Sequence, residues 1–138
     1  MVDSVSKARR SEIMSLIPVR DSAPERAVKR ALWAAGFRYG TSKKRKLPGS
    51  PDLVFPSLRA VVFVHGCFWH GHQCPLGRTP KSNQEFWLTK VATNRARDLR
   101  VVRALRRDDW RVITIWECSL ADGIRKTVRA LSRFRDEI

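Results

Sequence analysis

A chain of 138 residues suits one domain, and a hydrophobic content of 43% provides a core and argues against a disordered polymer. Its 28 Lys and Arg outweigh 13 Asp and Glu, and a net charge of +15 opposes compaction, so a polyanionic partner is expected. No apolar run approaches the roughly 20 residues that cross a bilayer, and the opening MVDSVSKARRSEIM has no apolar export core. The expectation is a cytoplasmic protein, associated with the nucleoid, that works as a monomer without a membrane partner.

Residues 1–21 read as a basic arm that contacts DNA, the leading part of one domain spanning 1–138. In SAPERAVKRALWAAGF, Ser22 can cap a helix, Pro24 suits the first turn, and Glu25 lies three residues after the cap. Ala27, Val28, Ala31, Leu32 and Ala35 form one helical stripe, which Gly36 ends. A basic loop, Lys43 to Lys46, precedes a short strand from Asp52 to Phe55, and Pro56-Ser57 turns the chain. Arg59 to Val64 is a run of mostly β-branched and apolar residues and reads as a central buried strand. Residues 65–80 hold all three His, two Cys, three Gly and two Pro, a composition no regular element favours, so a functional loop is predicted. Ser82 and Glu85 repeat the cap pattern and open a helix to about Asp108, with Phe86, Val91, Ala92, Leu99, Val102 and Leu105 as its apolar surface. Trp110 to Trp116 is a further buried strand, and a last helix follows from Leu120 to about Phe134. The order αββαβα predicts an α/β sandwich around a mixed sheet.

Three cysteines do not suit a disulfide framework. Cys67, His72 and Cys74 form C-x4-H-x-C, and Cys118 follows the last strand. Strand ends can meet in space, and three thiolates with one imidazole are a common tetrahedral zinc set with no open position. Structural Zn²⁺ is therefore expected, with His70 competing for the fourth place. The alternative is that Cys118 is simply a buried small hydrophobe and the remaining spacing is coincidence.

Pro51-Asp52 opens one strand and His65 ends the next, so a carboxylate and an imidazole meet at one sheet edge. Asp52 is a hard ligand suited to Mg²⁺. Phosphodiester hydrolysis needs an activated water, charge stabilisation at phosphorus and a proton for the leaving oxygen. His65 or His70 can move that proton near neutral pH.

Pro51-Asp52, VVFVHGCFWHGHQC (61–74), EFWLTK (85–90) and WRVITIWEC (110–118) together resemble the very-short-patch-repair (Vsr) mismatch endonucleases, over about residues 7–120. The wider superfamily is the restriction-endonuclease-like PD-(D/E)xK fold. Its second acid and lysine are replaced here by Phe63 and His65, as in the Vsr branch. The resemblance implies Asp52 as the Mg²⁺ ligand, a Val64 carbonyl contact, Glu25 holding metal-bound water, His65 at the scissile phosphate or its water, and His70 as acid or base. It carries zinc onto Cys67, His72, Cys74 and Cys118. Gly71 departs from relatives that have another His there.

Phe68 and Trp69 lie in a Gly-rich polar loop, and Trp87 begins the long helix. Aromatics beside positive charge can wedge between base steps, and unstacking costs least at a mismatch. Packing into the core is the competing role, strongest for Trp87. By resemblance, Lys90 and Asn94, at i and i+4, would reach base edges, and Met14 would act from the other groove. The expected activity is a nick beside a T·G mismatch in double-stranded DNA, arising from deaminated 5-methylcytosine. Mismatch-repair factors and a DNA polymerase would be partners. The alternatives are a restriction-linked endonuclease of the same fold without mismatch preference, and a non-catalytic zinc-containing DNA-binding module.

Overall fold

The computed structural model describes residues 22–40, 47–78 and 80–138. The expected arm with Met14, and the basic run Lys43 to Lys46, lie outside the described residues. Six elements follow in order: α1 (Ala23–Ala34), β1 (Leu53–Phe55), β2 (Ala60–His65), α2 (Gln84–Arg107), β3 (Arg111–Trp116) and α3 (Leu120–Asp136). This is the αββαβα order expected. No described helix is long and apolar enough to cross a membrane.

The sheet order is β1-β2-β3, with β1 antiparallel and β3 parallel to β2. The mixed sheet follows from the connections. A single 3-10 turn at Pro56–Leu58 can only reverse the chain, whereas the crossover through α2 is long enough to bring β3 back parallel. Helices cover both faces. Val28 and Leu32 of α1 and Leu131 of α3 pack with Leu53, Phe55, Val62 and Ile115. On the other face Leu105 of α2 and Trp110 pack with Val54, Val61 and Phe63. Alternate residues of β1 and β2 therefore enter opposite cores, which is why these strands read as unbroken apolar runs.

The α1 cap is as expected: the Glu25 N–H donates to Ser22 Oγ at 3.4 Å. Three expectations need correction. Ser82 does not cap α2; that place belongs to Asn83 in a left-handed conformation (φ 52°) with no side-chain cap bond. Phe86 and Leu99 are 59% and 58% exposed, so α2 turns Trp87, Val91, Asn94 and Leu105 inward. The sheet meets only part of so long a helix, and a single apolar stripe cannot include both 86 and 87. Finally, β3 is an edge strand, and among its residues only Ile115 is buried.

Candidate active site and thiolate cluster

Antiparallel pairing sets the start of β1 beside the end of β2. The Asp52 N–H donates to the Val62 carbonyl at 3.1 Å, and the Val64 N–H donates to Asp52 Oδ2 at 2.7 Å. Asp52 is thereby aimed across the sheet edge toward His65. A cleft of about 500 Å³ opens there, lined by Asp52, Glu25, His65, His70, Arg97 and Asp98 among others, with Val64 in its wall. The acid–imidazole edge predicted from strand ends is thus present.

Glu25 comes from α1 and is 4% exposed, with Lys29 Nζ 2.9 Å from its Oε2. Burial pushes the Asp52 carboxyl up to about 7, and the adjoining Glu25 side chain adds to this against the opposing Val64 N–H and Lys29. Two crowded carboxylates beside one ammonium form a site short of positive charge. A hard cation would relieve that crowding, so the donor set fits Mg²⁺.

His65 and His70 stack face to face, with ring centroids 3.7 Å apart and planes within 3°. His70 Nδ1 donates to Asp98 Oδ2 at 2.6 Å. Burial, then the neighbouring His70, lowers His65 to about 4, so its ring stays neutral at physiological pH. His65 Nδ1 is buried and has no partner among the described residues. Asp98 was missed by the sequence reading. It lies in a helix among many charges, and its only sequence signal is the i+4 spacing from Asn94.

On the other side of the same loop, the ligand atoms of Cys67, His72, Cys74 and Cys118 lie within 4.8 Å of one another. Tetrahedral zinc with Zn–S near 2.3 Å requires sulfurs roughly 4 Å apart, so this cluster could hold a zinc ion with little movement. His72 joins the thiols and His70 does not. His72 stacks on Trp116 at 4.2 Å, with Nδ1 3.4 Å from Cys118 Sγ. The Cys67 N–H donates to Glu117 Oε1 at 3.2 Å. Burial pushes the Cys67 thiol up to about 12; burial also acts to raise Cys74, but hydrogen bonds with His72, Cys67, the Gly77 backbone and Cys118 together bring it down to about 7. Gly77 is required by space: a Cβ there would stand 1.9 Å from the His72 carbonyl oxygen.

Comparison with known proteins gives this geometry a family. Residues 2–76 match the family model described as DNA mismatch endonuclease Vsr. A type II nicking enzyme of Xanthomonas oryzae pv. oryzae is 47% identical over 122 residues, covering 88% of this chain and 89% of that protein. A type II nicking enzyme of Neisseria meningitidis is 42% identical, covering 87% of this chain and 85% of its own. The DNA mismatch endonuclease Vsr of Escherichia coli is 39% identical over 137 residues, covering 99% and 87%.

The chain belongs to the Vsr family. It is an endonuclease, and the family resemblance read from the HGCFWH segment holds along nearly its whole length.

The aromatics assigned to mismatch recognition in this Vsr-family chain sit together. Phe68 lies 5.1 Å from Trp69 and 5.3 Å from Trp87, ring centre to ring centre, and Trp69 is 6.0 Å from Trp87. Trp87 is buried at 8% exposure and forms the floor, while Phe68 and Trp69 are half-buried above it. Lys90 is exposed. Asn94 is not: it is 8% exposed, and its Nδ2 donates to the Trp69 carbonyl at 2.8 Å. Gly71, the departure noted above, has φ +61° and packs against α2. A Cβ there would meet Val91 Cγ1 at 2.5 Å and Arg95 Cδ at 2.7 Å, so a larger residue would require those side chains to move, on top of the strain of a positive φ.

Proposed function

We propose that this chain cuts one strand of duplex DNA beside a T·G mismatch, as a Mg²⁺-dependent nickase whose loop is stapled by structural Zn²⁺. The observation that carries the reading is the meeting, in one cleft, of the crowded Asp52–Glu25 carboxylates with the stacked His65–His70 pair. Asp52 and the Val64 carbonyl would hold Mg²⁺, and Glu25 would orient its water. The ion, when bound, supplies charge neutralisation at the phosphate and a more acidic water. His70, held in one tautomer by Asp98, moves a proton at its free Nε2. His65, kept neutral by burial, faces the scissile phosphate or its water without adding charge. Cys67, His72, Cys74 and Cys118 would hold Zn²⁺ and fix the loop that carries His70 and the aromatics.

Mismatch selection would follow from Phe68 and Trp69 entering the base stack over Trp87, because a mispaired step unstacks at the lowest cost. Lys90 would meet a base edge, and Asn94 and Met14 are assigned to the same lesion by family resemblance. The net charge of +15 supplies salt-sensitive phosphate contacts. A monomer suits an asymmetric lesion, and a cytoplasmic, nucleoid-associated setting suits the substrate. A polymerase and mismatch-repair factors would act on the nicked product.

A second reading has its own support, since two of the relatives above are named type II nicking enzymes. It is a nuclease of the same chemistry without mismatch preference. Nicking of one end-labelled T·G duplex and its matched counterpart, with Mg²⁺ and with chelator, decides between them. The proposal expects cleavage of one strand of the T·G duplex only, and only with Mg²⁺. Equal cleavage of both duplexes would replace it with the second reading, and cleavage unaffected by chelator would remove the metal assignment.

A further inference from the structure

Lys29 is the one described lysine in the wall of the catalytic cleft, and its Nζ lies 2.9 Å from Glu25 Oε2. Packing fixes its place. Val28 and Leu32 are fully buried against the sheet and set the rotation of α1, so residues 25 and 29, at i and i+4, share the face turned to the cleft. An exposed ion pair at this spacing is weak. This pair differs, because the Glu25 side chain is 5% exposed and the Lys29 side chain 19%. The ammonium also acts on Asp52, opposing the rise that burial and Glu25 impose on that carboxyl. On the α2 side of the cleft, Arg97 and Asp98 offset each other. Two ionised carboxylates beside one ammonium leave a single net negative charge, too little to hold a divalent ion tightly. Mg²⁺ dehydrates reluctantly and is commonly held by one or two carboxylates together with substrate phosphate oxygens. A DNA phosphate entering the cleft restores the second negative charge and gives Lys29 another anion to pair with. Lys29 also lines the groove along α1 with Arg26, Arg30 and Trp33. Its flexible stem thus stands at the rim between the two and can turn without unpacking the core.

We propose that Lys29 is a counter-ion with two stations: paired with Glu25 in the empty cleft, where it weakens divalent-ion binding, and paired with a phosphate of the cut strand once DNA is bound. The proposal rests on the assignment of Asp52 and Glu25 to the Mg²⁺ site above. Moving the ammonium frees Glu25 to face the ion and its water, and it places a positive charge on the phosphate. The nuclease therefore acquires its ion together with its substrate and stays poorly loaded without DNA.

The test uses the full, zinc-loaded chain at about pH 8, where an Asp52 value of about 7 leaves that carboxyl mostly ionised. Mn²⁺, another oxygen-seeking ion, is titrated without DNA and followed by electron paramagnetic resonance. The parent should bind it weakly, Lys29→Met about tenfold tighter, and Lys29→Arg like the parent. The second readout is the factor by which Ca²⁺, in place of Mg²⁺, tightens binding of an intact T·G duplex at constant ionic strength. Linkage makes this the factor by which DNA tightens the ion, and in Lys29→Met it should fall by roughly the same tenfold. Single-turnover nicking at saturating Mg²⁺ and duplex should slow about tenfold in Lys29→Met, because a cation on the phosphate is lost, and Lys29→Arg should recover part of the rate. Zinc content and thermal melting verify the fold of each variant, and Lys29→Gln serves if Lys29→Met does not fold. Unchanged Mn²⁺ affinity in the variant would overturn the proposal, as would an unchanged Ca²⁺ factor. If the parent and Asp52→Ala bind Mn²⁺ alike, the ion does not sit in the cleft, and the functional reading falls together with the role of Lys29.

Discussion

The two halves of the 65–78 loop make an instructive contrast. One half, with the end of β3, collects Cys67, His72, Cys74 and Cys118, soft donors from only two stretches of chain. The other half adds His65 and His70 to Glu25 from α1, Asp52 from the start of β1 and Asp98 from α2. The thiolate cluster is nearly local, whereas the cleft needs four separated elements to arrive together. A local cluster can be organised by a single ion, because metal binding is itself folding free energy. A dispersed cleft must be organised by the fold, and it holds the strain: Asp52 is pushed up to about 7 and His65 down to about 4, both chiefly by burial.

That contrast predicts different consequences of damage on each side. The largest effect should come from Asp52→Ala, which is expected to cut nicking at least about a thousandfold while zinc content and duplex binding stay unchanged. Near-normal nicking by this variant would break the assignment of the cleft. Next, Cys118→Ala should lower zinc affinity by about tenfold or more and lower the melting temperature. Metal analysis after dialysis checks it, and full zinc retention would show that the cluster is not one site. Asp98→Asn should reduce kcat about a hundredfold, in the range expected for general acid–base groups, with zinc content intact. A change confined to KM would show that the His70–Asp98 bond positions substrate instead.

The smallest expected effect is on stability, and its sign sharpens the comparison most. The folded state keeps the Asp52 proton up to about 7, whereas an ordinary Asp loses it near 3.8. The stabilising protonated form is therefore present below about 4 and is lost as pH rises through about 7. In metal-free protein, Asp52→Asn should melt higher than the parent at pH 8, and the gap should close as pH falls to 4. A gap of about 1 kcal/mol corresponds to roughly 4 °C for a domain of this size. His65 acts in the opposite sense, losing stability as pH falls from its ordinary 6.5 toward about 4, so only the difference between the two proteins isolates Asp52. Added Mg²⁺ should raise the melting temperature of the parent and leave Asp52→Asn almost unmoved. No gap at any pH would mean that the carboxylate is not under the strain its surroundings imply.

The amino-acid order determined the six elements and their sequence, because apolar runs at 53–55 and 60–64 can be satisfied only between two helical layers. It also determined the three thiols of the cluster, since the chain has only three cysteines, and left the fourth place between His72 and His70. The tertiary structure alone decided that His72 joins the thiols while His70 bonds Asp98 in the cleft that Asp52 also lines, because a histidine two residues away in a tight loop can point to either side. It alone brought in Asp98, and it alone buried Asn94 against Trp69 while leaving Phe86 and Leu99 outside. These are choices of helix rotation. A helix as rich in arginine as α2 has no sharp apolar stripe to announce its inward face, so the loop packed against it makes that choice.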